Sequence, residues 1–158
     1  MANLAKIYRH QGKLNEAEQL EVQVLNIRKK LLGAEHPETI SSMANLAKIY
    51  RHQGKLNEAE QLDVQVLDLR KALLGADHPH TLISMEYLAS TYCQQGRLNK
   101  AEQLEVQVLD MRMKLLGEKH LDTLKTMGNL AKTYRHQGKL NEAEQLEVQR
   151  KNLLGAEH

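Results

Sequence analysis

Tryptophan and phenylalanine are absent from this chain, and five tyrosines supply all of its aromatic content. Its core must therefore be aliphatic, drawn from the Leu, Val, Ala, Ile and Met within a hydrophobic fraction of 41 %. A single cysteine excludes an internal disulfide framework and fits a reducing compartment. No apolar run approaches the roughly 18 residues of a membrane span, and no charged-then-apolar leader opens the chain. These absences read as a soluble cytoplasmic protein with no membrane partner. Net charge is only +2, too little for a general attraction to nucleic acid.

What is present is repetition. "YRHQGKLNEAEQL" begins at residues 8, 50 and 134, and the same slot at residue 92 reads "YCQQGRLNKAEQL". Met1, Met43, Met85 and Met127 open four copies spaced 42 residues apart, the last losing four residues after Gln149. Self-similarity at such a period is the signature of stacked supersecondary units. The expected organisation is one array over 1–158, with units 1–42, 43–84, 85–126 and 127–158, the first and last incomplete, and no linker.

Each copy reads as two helices. Pro37 suits a first helical position, where its missing N–H would be unpaired anyway. Met43, Leu46, Ala47 and Tyr50 then follow the i, i+3, i+4, i+7 pattern of an amphipathic helix. Gly54 ends it, tolerating φ > 0 at a C-terminal cap. Asn57 with Glu60 predicts an N-cap and capping box for a second helix. That helix carries Ala59, Leu62, Val66, Leu69 and Leu73, with a second apolar row of Val64, Leu67 and Leu74. Glu58 and Glu60 at its start and Arg70 and Lys71 near its end suit the macrodipole, and Gly75 closes it. A hairpin with apolar surface on both sides must stack against its neighbours. The fold class is all-α, an α-solenoid of tandem antiparallel hairpins, with first helices lining one side and second helices the other.

Leu46-Ala47, Tyr50, Gly54, Ala59 and Val66-Leu67 resemble the tetratricopeptide pattern, with Met43 where that family often has Trp. The 42-residue period and the "LLGAEHP" and "LLGADHP" loops are similar to the long repeats of kinesin light chains and nephrocystin. The wording "MANLAKIYRHQGKLNEAEQLEVQVL" resembles the C-terminal arrays of fungal NACHT or NB-ARC signalling ATPases, and the resemblance covers the whole chain. It implies a scaffold or sensor that binds a peptide or partner protein in a concave groove, without cofactor or catalysis. No GxxxxGK[ST] motif occurs, so the ATPase itself is absent. Kinesin light chains carry Asn two residues before the Leu of the Leu-Ala pair, where this chain has Ala2, Ala44, Glu86 and Gly128. Asn3, Asn45 and Asn129, one residue later, are the type found in other tetratricopeptide grooves, so kinesin-like cargo binding does not follow.

At 100° per residue, Asn45, Lys48 and His52 share a strip opposite Met43, Leu46 and Tyr50, with Ser41 on it and Arg51 at its shoulder. Stacking aligns them with Asn3, Lys6, Arg9 and His10 and with Asn129, Lys132, Arg135 and His136. The result is a basic inner surface, while Glu16, Glu18, Glu58, Glu60, Glu102, Glu142 and Glu144 make the other side more acidic. An extended acidic segment or a chain-terminal carboxylate is the ligand such a strip would take. The bland alternative is a merely solvated inner face. In the third copy Glu86, Tyr87, Ser90, Cys93 and Gln94 replace Ala44, Asn45, Lys48, Arg51 and His52. Those changes predict an altered contact surface, with a pocket for an apolar or aromatic residue at Tyr87; drift would also spare the core.

Eight histidines invite a metal reading. His10, His52 and His136, like His36, His78, His120 and His158, recur once per copy. Equivalent helices pack about 8–10 Å apart, too far to share an ion at roughly 2.0–2.1 Å. The loop histidines are expected to bond backbone at the turn instead. Cys93 near His52 or His136 would need a base within about 2.6–3.2 Å to be a nucleophile, which stacking disfavours, so no enzyme activity is expected. A nucleic-acid ligand ranks low, because the strip lacks recurring aromatics on which bases could stack. Leu146, Val148, Leu153 and Leu154 are expected at an open face, which makes the runner-up a self-associating assembly module, joined end to end or by helix exchange.

Overall fold

A computed structural model describes residues 1–155. Among these residues eight helices follow one another: α1 (Ala2–His10), α2 (Leu14–Leu32), α3 (Pro37–Gln53), α4 (Leu56–Leu74), α5 (Pro79–Gln94), α6 (Leu98–Leu116), α7 (Leu121–His136) and α8 (Leu140–Gly155). They form two compact units, Met1–Tyr87 and the described residues from Leu88 onward, with the boundary inside α5. In the first, α1 packs on α2, α2 on α3 and α3 on α4; in the second, α6 packs on α7 and α7 on α8. The fold is the all-α repeat solenoid expected from the 42-residue period.

The helix ends follow local chemistry. Pro37 occupies the first turn of α3, and His36 caps it, its Nδ1 accepting from the Glu38 N–H at 3.2 Å. His78 and His120 do the same for the N–H groups of His80 and Asp122, each at 3.1 Å. This is the backbone role expected of the loop histidines; His158 lies outside the described residues. Gly54 ends α3 at φ +77°, and a Cβ there would meet nothing within 4 Å. That glycine is needed for its left-handed backbone and not for space.

The capping box does not form. Lys13, Lys55 and Arg97 take the N-cap positions of α2, α4 and α6, with no side-chain cap, so Asn57 sits inside the first turn of α4. The turn closes early: the Lys55 N–H donates to the Tyr50 carbonyl at 2.9 Å, two residues before Asn57. The equivalent Asn15 and Asn99 instead accept from Gln53 and Gln137 of the following hairpin, at 3.2 and 2.9 Å.

In the first unit the core joins Leu25, Ile40, Met43, Leu46 and Val66, with Val22, Ala44, Tyr50, Leu62 and Leu69 packed against them. Each such aliphatic side chain contributes about 1.5–3 kcal/mol when fully buried. Leu73 and Leu74, expected in the buried stripe of α4, are exposed, as are Leu31 and Leu32, because the last turn of each second helix lies outside the packed face. Arg70 does more than complement a helix dipole. It donates to Ser84 Oγ at 2.8 Å, as Arg28 does to Ser42 (2.6 Å) and Arg112 to Thr126 (2.7 Å), tying each second helix to the next first helix.

Candidate peptide-binding surface

In the Met1–Tyr87 unit, six of the expected strip residues line one cavity of about 370 Å³: Asn3, Lys6 and Arg9 from α1, Asn45 and Lys48 from α3, and Tyr87 from α5. Small residues on the same helices, Ala2, Ala5 and Ala44, leave the space. Glu21 of α2 also borders it. Asn3 and Lys6 are exposed, while Arg9 and Lys48 are half-buried. His10, His52 and Glu86 do not line this cavity; His10 and His52 are exposed and Glu86 is half-buried.

Arg51 is drawn out of the strip. Its Nη1 donates to both carboxylate oxygens of Asp63 in α4, at 2.9 and 2.7 Å, and both side chains are only 4 % exposed. The guanidinium therefore holds α3 to α4. It also lies 5.0 Å from the Tyr87 ring centre, and Lys48 Nζ lies 5.6 Å from it. Both are within cation–π range. Tyr87 thus lines the cavity with two cations beside its ring.

The electrostatics of the region are positive. Partial burial, then the charges of Arg9, Lys48 and Arg51, hold the His52 imidazole below its usual range. Glu21 is 1 % exposed. Burial pushes its carboxyl up, against hydrogen bonds from Ser42 and Asn45 and the charges of Arg28 and Arg9. Glu21 and Asp63 are buried acidic neighbours of the strip that its helical pattern did not include. Their signal is an acid inside the apolar stripe of every copy, at Glu21, Asp63, Glu105 and Glu147.

In the second unit Asn129, Lys132, Arg135, His136 and Gln94 are exposed and Ser90 is half-buried. Arg135 Nη2 lies 3.4 Å from Glu147 Oε1, and Glu147 also accepts from Arg150 at 3.0 Å. Cys93 Sγ lies 3.5 Å from Thr133 Oγ1, and burial pushes the thiol up, which keeps it protonated and a poor nucleophile. Among the described residues no three His, Cys, Asp or Glu side chains are grouped to hold a metal, and no helix is long and apolar enough to cross a membrane.

Paired helices repeating every 42 residues, with small residues at the helix contacts and polar side chains on the first-helix strip, define a repeat scaffold. The tetratricopeptide repeat model matches residues 1–72, 43–114 and 86–150, and the chain belongs to that family. Its arrays are protein-interaction scaffolds. Among solved structures the chain is similar to the nearly identical TPR-like repeats of a Podosopora anserina putative kinesin light chain. That match has 32 % identity, covers 99 % of this chain and 74 % of that one, and has a TM-score of 0.87. Two further structures share the fold alone. BtubC (BKLC) from P. vanneervenii is 22 % identical over 98 % of this chain and 62 % of its own, with a TM-score of 0.88. The apo form of RapI is 15 % identical over 99 % of this chain and 55 % of its own, with a TM-score of 0.81. None of the curated proteins matches.

Proposed function

We propose that the chain binds an extended acidic segment of a partner protein, or a chain-terminal carboxylate, along its first-helix strip. The observation that carries this reading is the convergence of Lys6, Arg9 and Lys48 with the carboxamides of Asn3 and Asn45 on one cavity. The cations would make charge-assisted hydrogen bonds to carboxylates, and the carboxamides would pair with peptide backbone. The lowered His52 supports a positive local potential. The resemblance to fungal arrays supports a sensing role beside a cytoplasmic signalling ATPase. The test is fluorescence anisotropy with labelled peptides rich in Asp and Glu or rich in Lys, at physiological salt, on the parent and a Lys6→Glu, Lys48→Glu variant. Acidic peptides should bind the parent and lose about tenfold or more in affinity for the variant. Equal binding of both peptide classes would refute the reading.

A second reading, self-association, is favoured by one contrast. Met1, Leu4 and Ile7 on α1 are 60, 42 and 50 % exposed, whereas the identical Met43, Leu46 and Ile49 on α3 are 4, 4 and 2 % exposed. On α8, Val148 and Leu154 are exposed, while Leu146 and Leu153 are half-buried. Faces of this kind support stacking of copies or exchange of helices.

A further inference from the structure

Within each unit a polar clasp fastens the turn after a first helix to the preceding second helix. Gln53 Nε2 donates to Asn15 Oδ1 at 3.2 Å and to Glu18 Oε2 at 2.8 Å, and Lys55 Nζ reaches the same Glu18 oxygen at 2.9 Å. The second unit repeats it: Gln137 donates to Asn99 (2.9 Å) and Glu102 (2.7 Å), and Lys139 to Glu102 (2.9 Å). The donors are a Gln-Gly-Lys turn, and the acceptors an Asn and a Glu three residues apart on one helix face. Lys55 and Lys139 each lie 5.5 Å from the ring centre of the preceding tyrosine, Tyr50 or Tyr134.

The same two halves occur on the exposed faces of α1 and α8. Gln11, Gly12 and Lys13 follow α1, with Lys13 Nζ 5.4 Å from the Tyr8 ring centre, the pose its equivalents hold inside the clasps. Asn141 and Glu144 line a cavity of about 700 Å³ along α8, next to the exposed Val148. Val148 corresponds to Val22, which packs against the cluster containing Met43 and Leu46. The first-copy equivalents of Met43 and Leu46, Met1 at the N-cap of α1 and Leu4 on it, are exposed. Both polar and apolar parts of an internal contact are therefore presented as complementary faces.

We infer that two copies of this chain join head to tail, Gln11 and Lys13 of one clasping Asn141 and Glu144 of the next while Met1 and Leu4 pack on Val148. The inference rests on the self-association reading and names its interface. The contact is heterologous, so each joined pair still presents one face of each kind, and mass must climb with concentration. Beyond Gln149 the sequence of α8 departs from the other second helices, which confines the match to its N-terminal part.

Sedimentation equilibrium of the chain from micromolar to millimolar concentration tests this, with Lys13→Glu and Glu144→Lys variants alone and mixed. Lys13 and Glu144 are both exposed, so neither change disturbs a core, and circular dichroism checks the fold. The parent should associate, and each variant alone should weaken by about tenfold or more, because like charges then face each other. The mixture should regain association, since opposite charges face each other only between unlike variants. Association unaffected by either variant would overturn the clasp and leave self-association standing. A constant monomer mass at every concentration would overturn both.

Discussion

Asp63 and Arg51 offer the sharpest test of how a first helix is held to its second. The guanidinium bonds both carboxylate oxygens, at 2.9 and 2.7 Å, with each side chain 4 % exposed. Removing one partner of such a pair strands the other charge in the protein and costs about 3–5 kcal/mol. Replacing both with apolar residues of similar volume is often neutral or stabilising. Arg51→Met and Asp63→Leu should therefore each destabilise by about 3–5 kcal/mol, and the double variant by less than either. Against a total of about 5–15 kcal/mol for a domain, the single changes are severe. In a repeat array the loss falls first on the α3–α4 hairpin, so the urea transition followed by far-UV circular dichroism should broaden as well as shift. The third copy carries Cys93 in place of this arginine, opposite Glu105, so Arg51→Cys would report directly what that copy lacks. Single variants costing under about 1 kcal/mol, the range of exposed ion pairs, would refute the reasoning. A double variant that costs the sum of the two singles would refute it as well.

His36→Ala removes the acceptor of the Glu38 N–H and should cost about 1 kcal/mol, read from the urea midpoint, while His36→Asn should largely preserve stability. The Lys139 hydrogen bond, opposed by burial and aided by Gln137, holds the Glu102 carboxyl below its usual range. Its folded pKa lies below its unfolded one, so Glu102 contributes stability that is present above about pH 4.3 and lost as pH falls through the folded value. Glu102→Gln should therefore flatten the acid side of the stability profile, measured as urea midpoints at stepped pH; parallel profiles would refute the assignment.

The helices, their ends at Pro37 and Gly54 and the capping histidines were legible because each depends on residues close in sequence. Arg51 was not. A helical wheel places it at the shoulder of the polar strip, but which way that shoulder faces depends on Asp63, 12 residues later on another helix. The available signal was the acid that interrupts the apolar stripe in all four copies. Asn57 misled for a related reason: asparagine serves equally as a cap and, as at Asn15 and Asn99, as a cross-link. Only the next hairpin, 38 residues on in the case of Gln53 and Asn15, decides between them. The cations beside the Tyr87 ring were not legible either, because they come from α3, in the preceding copy.

Repetition supplies a comparison that a single hairpin could not. The third copy changes its strip at Glu86, Tyr87, Ser90, Cys93 and Gln94, yet keeps Asn99 and Glu102, which form the clasp. Drift limited only by burial would alter exposed positions alike, and Asn99 is exposed. It bonds a side chain from the following copy, a contact that burial alone does not register. Lys100, one residue further along α6 and also exposed, has meanwhile replaced the glutamate of the other three copies. The contacts that stack one hairpin on the next are thus separable from the strip that faces the proposed groove. An array built this way can change its strip, copy by copy, without changing the clasps that stack one hairpin on the next.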